Sequence, residues 1–134
     1  MYLAKLSKEE KELFLGIAYN LVYIDGVYST EEQEMMDEYC HEMQIEFKQE
    51  TMTKPIEELI DVIKKKCDIK VKKIVVFEAV GLAMVDGNYD DDERTFILNM
   101  QKEFGIDKEF EKQCETILQE YIKFQERINE LVIE

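Results

Sequence analysis

Apolar side chains recur three and four positions apart along most of this chain, the spacing of helices that bury one face. Leu13, Phe14, Ile17, Leu21 and Ile24 form the first such stripe. Ser7 with Glu10 three positions on opens it as a capping box, and Gly26 ends it, glycine taking positive φ without steric cost. Ser29 and Glu32 repeat the box before Met35, Met36, Tyr39, Cys40 and Met43, while Glu31, Glu34, Asp37, Glu38 and Glu42 face elsewhere. Thr53-Lys54-Pro55 marks another start, with proline in the first turn and Ile56, Leu59, Ile60 and Ile63 inward. A helix from about Asp68 carries Ile74, Val75, Phe77, Val80, Gly81 and Met84. It is apolar on more than one side and so is expected at the centre. Asp90 and Glu93 cap the stripe Phe96, Ile97, Met100 and Phe104. From Asp107 the apolar positions Phe110 to Leu131 drift in register, consistent with one bent helix or two short ones.

Two of these units are copies. Asp25-Gly26-Val27-Tyr28-Ser29-Thr30-Glu31-Glu32 returns 61 positions later as Asp86-Gly87-Asn88-Tyr89-Asp90-Asp91-Asp92-Glu93. Ala18 and Ala79 precede the copies in register. Met43-Gln44-Ile45-Glu46 and Phe104-Gly105-Ile106-Asp107 close them. The expectation is an all-α, single-domain helical bundle over 1–134, with an internal pseudo-twofold repeat of about 8–66 and 69–130. A chain of 134 residues with one proline and no polar linker has room for one core.

Charge narrows the partners. The net charge is −14, with 8 bases against 15 acids up to Lys66 and 9 against 16 after it, so each half carries −7. Such a field repels phosphate backbones and anionic membranes and favours cations or a basic protein surface. Nucleic acid and membrane insertion are therefore not expected. Acidity of this kind also serves solubility alone. Cys40, Cys67 and Cys114 are far apart and odd in number, and no leader is visible at Met1-Tyr2-Leu3-Ala4-Lys5, so a reduced cytoplasmic setting is expected.

The acidic turns admit three readings. Aspartate before glycine, a capping residue and acids in the first turn are what a helix start uses, each worth roughly 0.3–2 kcal/mol. An EF-hand would use Asp25 as its fifth and Glu32 as its twelfth position. Leu21 and Tyr23, or Leu82 and Met84, would then stand where oxygen ligands are required, which argues against it. The third reading is a divalent-ion site across the repeat, with Asp25, Glu32, Asp86 and Glu93 as ligands. Oxygen donors alone point to Ca²⁺, Mg²⁺ or Mn²⁺. Tyr28 and Tyr89 hold equivalent places, either covering the core beside a cap or anchoring a partner. His41 follows Cys40 about 100° round its helix, so the two make no catalytic pair by local geometry. No phosphate loop, nucleophile elbow or HExxH is present.

An apolar helix running into Asp-Gly, then a capped turn and an acidic amphipathic helix, twice from about Leu13 to Asp107, resembles the TerB-like domains. These are found in tellurite-resistance proteins and in membrane-anchored DnaJ-type co-chaperones. The resemblance implies an all-helical pseudo-twofold bundle, metal-linked acids at Asp25, Glu32, Asp86 and Glu93 aided by Glu31 or Asp90, and a sensing or scaffolding role connected with stress. Ile24 and Val85 stand where the family often has alanine. The expected function is a non-enzymatic binding module for a basic partner, with homodimer formation as a further option. A small carboxylate-dependent hydrolase and a purely structural oligomerisation domain are the alternatives.

Overall fold

The computed structural model describes residues 2–24, 29–46, 54–85, 87 and 89–133. Asp25, Gly26, Tyr28, Thr53 and Asp86 lie outside the described residues. Among the described residues there are six α-helices and no strand: α1 Lys8–Val22, α2 Thr30–Met43, α3 Ile56–Lys66, α4 Ile69–Met84, α5 Asp91–Glu103 and α6 Phe110–Val132. A 3-10 turn, Leu3–Lys5, precedes them. The all-α bundle expected from the periodicity is what forms.

α1 and α4 pack against each other, and the other helices are added around them. α2 and α3 lie on α1. α5 and α6 lie on α4, while α3 also meets α5 and α5 meets α6. The core holds Phe14, Leu15, Ile17 and Leu21 from α1 and Val75, Val76, Ala79, Val80 and Leu82 from α4. Ala18 and Ala79, the aligned alanines, are both fully buried. α4 is the central helix its apolar sequence suggests. Its one deeply buried charged side chain, Glu78, accepts a hydrogen bond from the Tyr2 backbone N–H at 3.0 Å. Glu42 of α2 accepts from the Leu3 N–H at 3.1 Å, so two carboxylates tether the amino-terminal segment. Tyr39 stands edge-on to Phe14, with ring centroids 5.2 Å apart. Its hydroxyl donates to the Glu78 carbonyl at 3.2 Å.

α3 reaches α1 where there is no side chain to hold it off. A Cβ on Gly16 would stand 2.8 Å from Leu59 Cδ1. Asp68 caps α4, its Oδ1 accepting from the Val71 N–H at 2.9 Å. Pro55 sits one place before its expected position, at the N-cap of α3 rather than inside the first turn.

One further detail departs from the periodicity, and the carboxy-terminal segment settles what it left open. Ile24 lies beyond the end of α1 and is exposed. Its place in the stripe extrapolates a helix that ends at Val22. The carboxy-terminal segment is one helix of 23 residues, neither broken nor paired. No proline or glycine interrupts 110–132, so the register drift changes which face is apolar without stopping the helix. Asp107 opens this region just ahead of the helix; its Oδ1 accepts from the Glu109 N–H at 2.8 Å and shapes the turn before it.

The closing patterns behave as copies. Ile45 N–H reaches the Cys40 carbonyl at 3.1 Å, and Ile106 N–H reaches Gln101 at 3.2 Å, the equivalent residues in the repeat. Both caps need a left-handed residue. Gly105 supplies one at φ 71°, but its counterpart is Gln44 at φ 56°. A side chain in that region costs about 1–2 kcal/mol. Gln44→Gly is therefore expected to raise stability by about 0.5–1 kcal/mol, after its larger unfolded-state entropy is subtracted, and Gly105→Ala to lower it by about 1 kcal/mol. Urea titration of both variants checks the opposite signs.

Candidate functional site at the acidic turns

Three capping boxes open α1, α2 and α5 with the same hydrogen bonds. Ser7 Oγ accepts from Glu10 N–H at 3.2 Å, Ser29 Oγ from Glu32 N–H at 3.0 Å, and Asp90 Oδ1 from Glu93 N–H at 2.8 Å. The glutamates return the bond to the capping residue's N–H at 2.8, 3.1 and 3.1 Å. The boxes differ in burial. Glu10 is half-exposed, whereas Glu32 and Glu93 are each only 5% exposed. A cap alone does not require this, because a carboxylate at the third helical position reaches back along the surface. Each acidic turn therefore carries a buried carboxylate that closes its cap.

Glu32 and Glu93 are the two expected ligands that the structure describes. Asp25 and Asp86 fall outside it. Glu31 is exposed and Asp90 is held in its cap. Gly87 of the second Asp-Gly adopts φ 77°, the positive value such a turn calls for. Among the described residues, no group of three or more His, Cys, Asp or Glu is placed to hold a metal ion. His41 is exposed, and Cys40, Cys67 and Cys114 are free thiols. Cys114 is buried and its pKa is pushed up to about 12 by desolvation, with Glu111 adding to the effect.

A cluster not foreseen from the motif adjoins the second turn. Tyr89 stands just before the cap, the position from which a hydrophobic staple reaches the fourth helical residue. Here that residue is Arg94, whose guanidinium lies 4.4 Å from the centre of the Tyr89 ring. The Tyr89 hydroxyl donates to Glu111 Oε2 at 3.0 Å. Arg94 Nη2 donates to Glu115 Oε1 at 2.9 Å. Turn, α5 and α6 are thereby joined through four side chains. Half of the signal was visible: Glu111 and Glu115 are one helical turn apart. Their meeting with Tyr89 and Arg94 depends on how α6 lies.

Glu111 is buried, and desolvation raises its pKa to about 7, with a hydrogen bond to Glu115 adding to the rise. The Tyr89 hydrogen bond and Arg94 oppose it. At Glu115 burial acts upward too, but hydrogen bonds from Glu111 and Arg94 outweigh it and hold the carboxylate below the usual range. The pair thus keeps one proton, on Glu111, into the neutral range. Tyr89 is raised far above its ordinary value by burial and by the Glu111 charge.

No family model and no curated protein matches the chain. Among solved structures, a crystal structure of a tellurite resistance protein from Nostoc punctiforme superimposes with a TM-score of 0.66. It is 20% identical, and the match covers 96% of this chain and 84% of that one. The chain has the fold of a tellurite resistance protein. The TerB-like likeness read from the two turns thus holds at the level of fold, over nearly the whole chain rather than the motif alone. No described helix is long and apolar enough to cross a membrane.

The retained proton has a measurable consequence. The unfolded glutamate ionises near 4.5, while the folded one holds its proton to about 7. Between those values the native state binds more protons than the unfolded state, so stability falls as pH rises and levels off above about 7. Glu111→Gln is expected to flatten this window relative to wild type in urea titrations. Tyr89→Phe, which removes a bond to the ionised form, is expected to move the Glu111 titration upward, as read from its carboxyl carbon by NMR.

Proposed function

We propose that this protein is a non-enzymatic helical binding module in which a divalent cation joins the two acidic turns, with Asp25, Glu32, Asp86 and Glu93 as oxygen donors. The single observation that carries the reading is the contrast among the capping boxes. Glu32 and Glu93, 61 positions apart, are both buried, while Glu10 in the same motif is not. A buried carboxylate offers a cation an oxygen donor shielded from bulk water. Hard oxygen donors suit Ca²⁺, Mg²⁺ or Mn²⁺. The path of α2 is also favourable. Tyr39 donates to the Glu78 carbonyl of α4 and Met35 shares a cleft with Met84 and Val85, so the amino-terminal part of α2 lies toward the carboxy-terminal end of α4. With the ion in place, the surplus acidity of each half, −7, becomes a face for a basic protein partner. The tellurite resistance named for the Nostoc protein is consistent with a stress-related role for this chain.

A carboxylate-dependent hydrolase finds less support. Glu111, which holds its proton near neutrality, is 4% exposed and already engaged with Tyr89 and Glu115, so it presents no acid to a substrate.

Thermal unfolding after chelation, with each ion added back, tests the proposal. At a free ion concentration about 100 times Kd the stabilisation is about 2.7 kcal/mol. Asp25→Asn/Asp86→Asn and Glu32→Gln/Glu93→Gln are expected to abolish the ion response while leaving helicity near wild type. Glu10→Gln is expected to keep it. A wild-type melting curve indifferent to all three ions would refute the metal site.

A further inference from the structure

α6 holds more apolar surface than the bundle covers. Phe110, Cys114, Ile117, Tyr121, Phe124, Ile128 and Leu131 alternate in steps of four and three without a break. That is a coiled-coil seam three heptads long. The bundle covers its beginning, burying Cys114 and Leu118, but every residue from 119 to 133 is exposed. Phe124 is 58% exposed and Leu131 85%.

The beginning of the seam borders a groove of about 1060 Å³. Phe110, Cys114 and Ile117 form one wall, Ile74 and Phe77 of α4 the other, and Lys5, Lys70, Lys73 and Lys112 stand round it with Glu109. In a chain of net charge −14 this is a locally basic place. Elsewhere Lys64, Lys65 and Lys66 are ion-paired with Glu103, Asp61 and Glu9. Here Lys5 and Lys73 lie over the rings of Tyr2 and Phe110. The far end of α6 has the complementary character. Beyond Arg127 the one ionisable side chain among the described residues is Glu130, and the helix dipole adds negative charge there.

We propose that the occupant of this groove is the α6 tail of a second copy, the two α6 helices running antiparallel about a twofold axis. Ile117 then faces the partner's Ile128, and Tyr121 the partner's Phe124, on both sides of the axis. Each lysine-lined groove receives the acidic end of the other helix. A parallel pair would instead leave both basic grooves without an anion. The contact is isologous, so it closes at two copies.

Sedimentation velocity of the full chain, from micromolar to submillimolar concentration, tests this. A reversible dimer is expected. Phe124→Glu/Ile128→Glu, at exposed positions, is expected to raise its Kd by about 100-fold with unchanged circular dichroism. Lys70→Glu/Lys73→Glu is expected to weaken the dimer and Glu130→Lys to restore it partly. For orientation, Ile117→Cys and Ile128→Cys proteins are oxidised separately and mixed. Cross-linking dependent on the mixture supports the antiparallel pair, whereas a self-linked Ile128→Cys dimer overturns it. A chain that stays monomeric throughout the range, or a dimer indifferent to the Phe124 and Ile128 changes, also overturns it. These readouts use no added metal, so they stand apart from the test of the acidic turns.

Discussion

The packing of α1 against α4 is the contact on which the rest of the structure depends. These two helices contribute most of the fully buried side chains, including the aligned Ala18 and Ala79. A fully buried Leu, Ile or Phe is worth roughly 1.5–3 kcal/mol relative to exposure, so this pair concentrates the driving force for folding. Around it each half adds an acidic amphipathic helix and a third helix: α2 and α3 beside α1, α5 and α6 beside α4. The outer helices are polar on their far faces and need the central pair to bury their stripes.

That arrangement explains where polar groups can enter the interior. Glu78 and Glu42 are drawn inward because the amino-terminal turn presents backbone N–H groups to them. Glu111 is drawn inward beneath Tyr89, and it keeps a proton because the neutral form is the less costly one to bury. Glu32 and Glu93 are a different case. They are buried at the starts of α2 and α5, where the peptide dipoles favour negative charge. The same bundle thus stabilises acids by three means: backbone donors, protonation and helix termini.

α6 is continuous across two environments. Its first half completes the core with Cys114 and Leu118 and holds Glu111 and Glu115 beside the second turn. Its second half continues the helix into solvent with apolar side chains still in register. The carboxy-terminal helix therefore connects the surroundings of an acidic turn to an outward-facing seam. The equivalent helix of the first half, α3, is only 11 residues long and has no such extension, so the two halves match at their turns and diverge at their third helices.

The helices, their caps and the duplicated turn were legible in the residues because each depends on neighbours within about four positions. Ser7–Glu10, Ser29–Glu32 and Asp90–Glu93 had to form boxes wherever those helices sat, and the stripes had to face a core. Ile24 was misplaced because periodicity does not mark where a helix ends. The single α6 was ambiguous because drift in register looks the same in a broken helix and in one that changes neighbours. Only the tertiary structure decided which capping glutamates are buried, that Tyr89, Arg94, Glu111 and Glu115 meet, and that a lysine groove lies beside Phe110. Each of these depends on the relative placement of helices distant in sequence. That placement is set by the shape in which α1 and α4 pack, and local spacing carries no record of it.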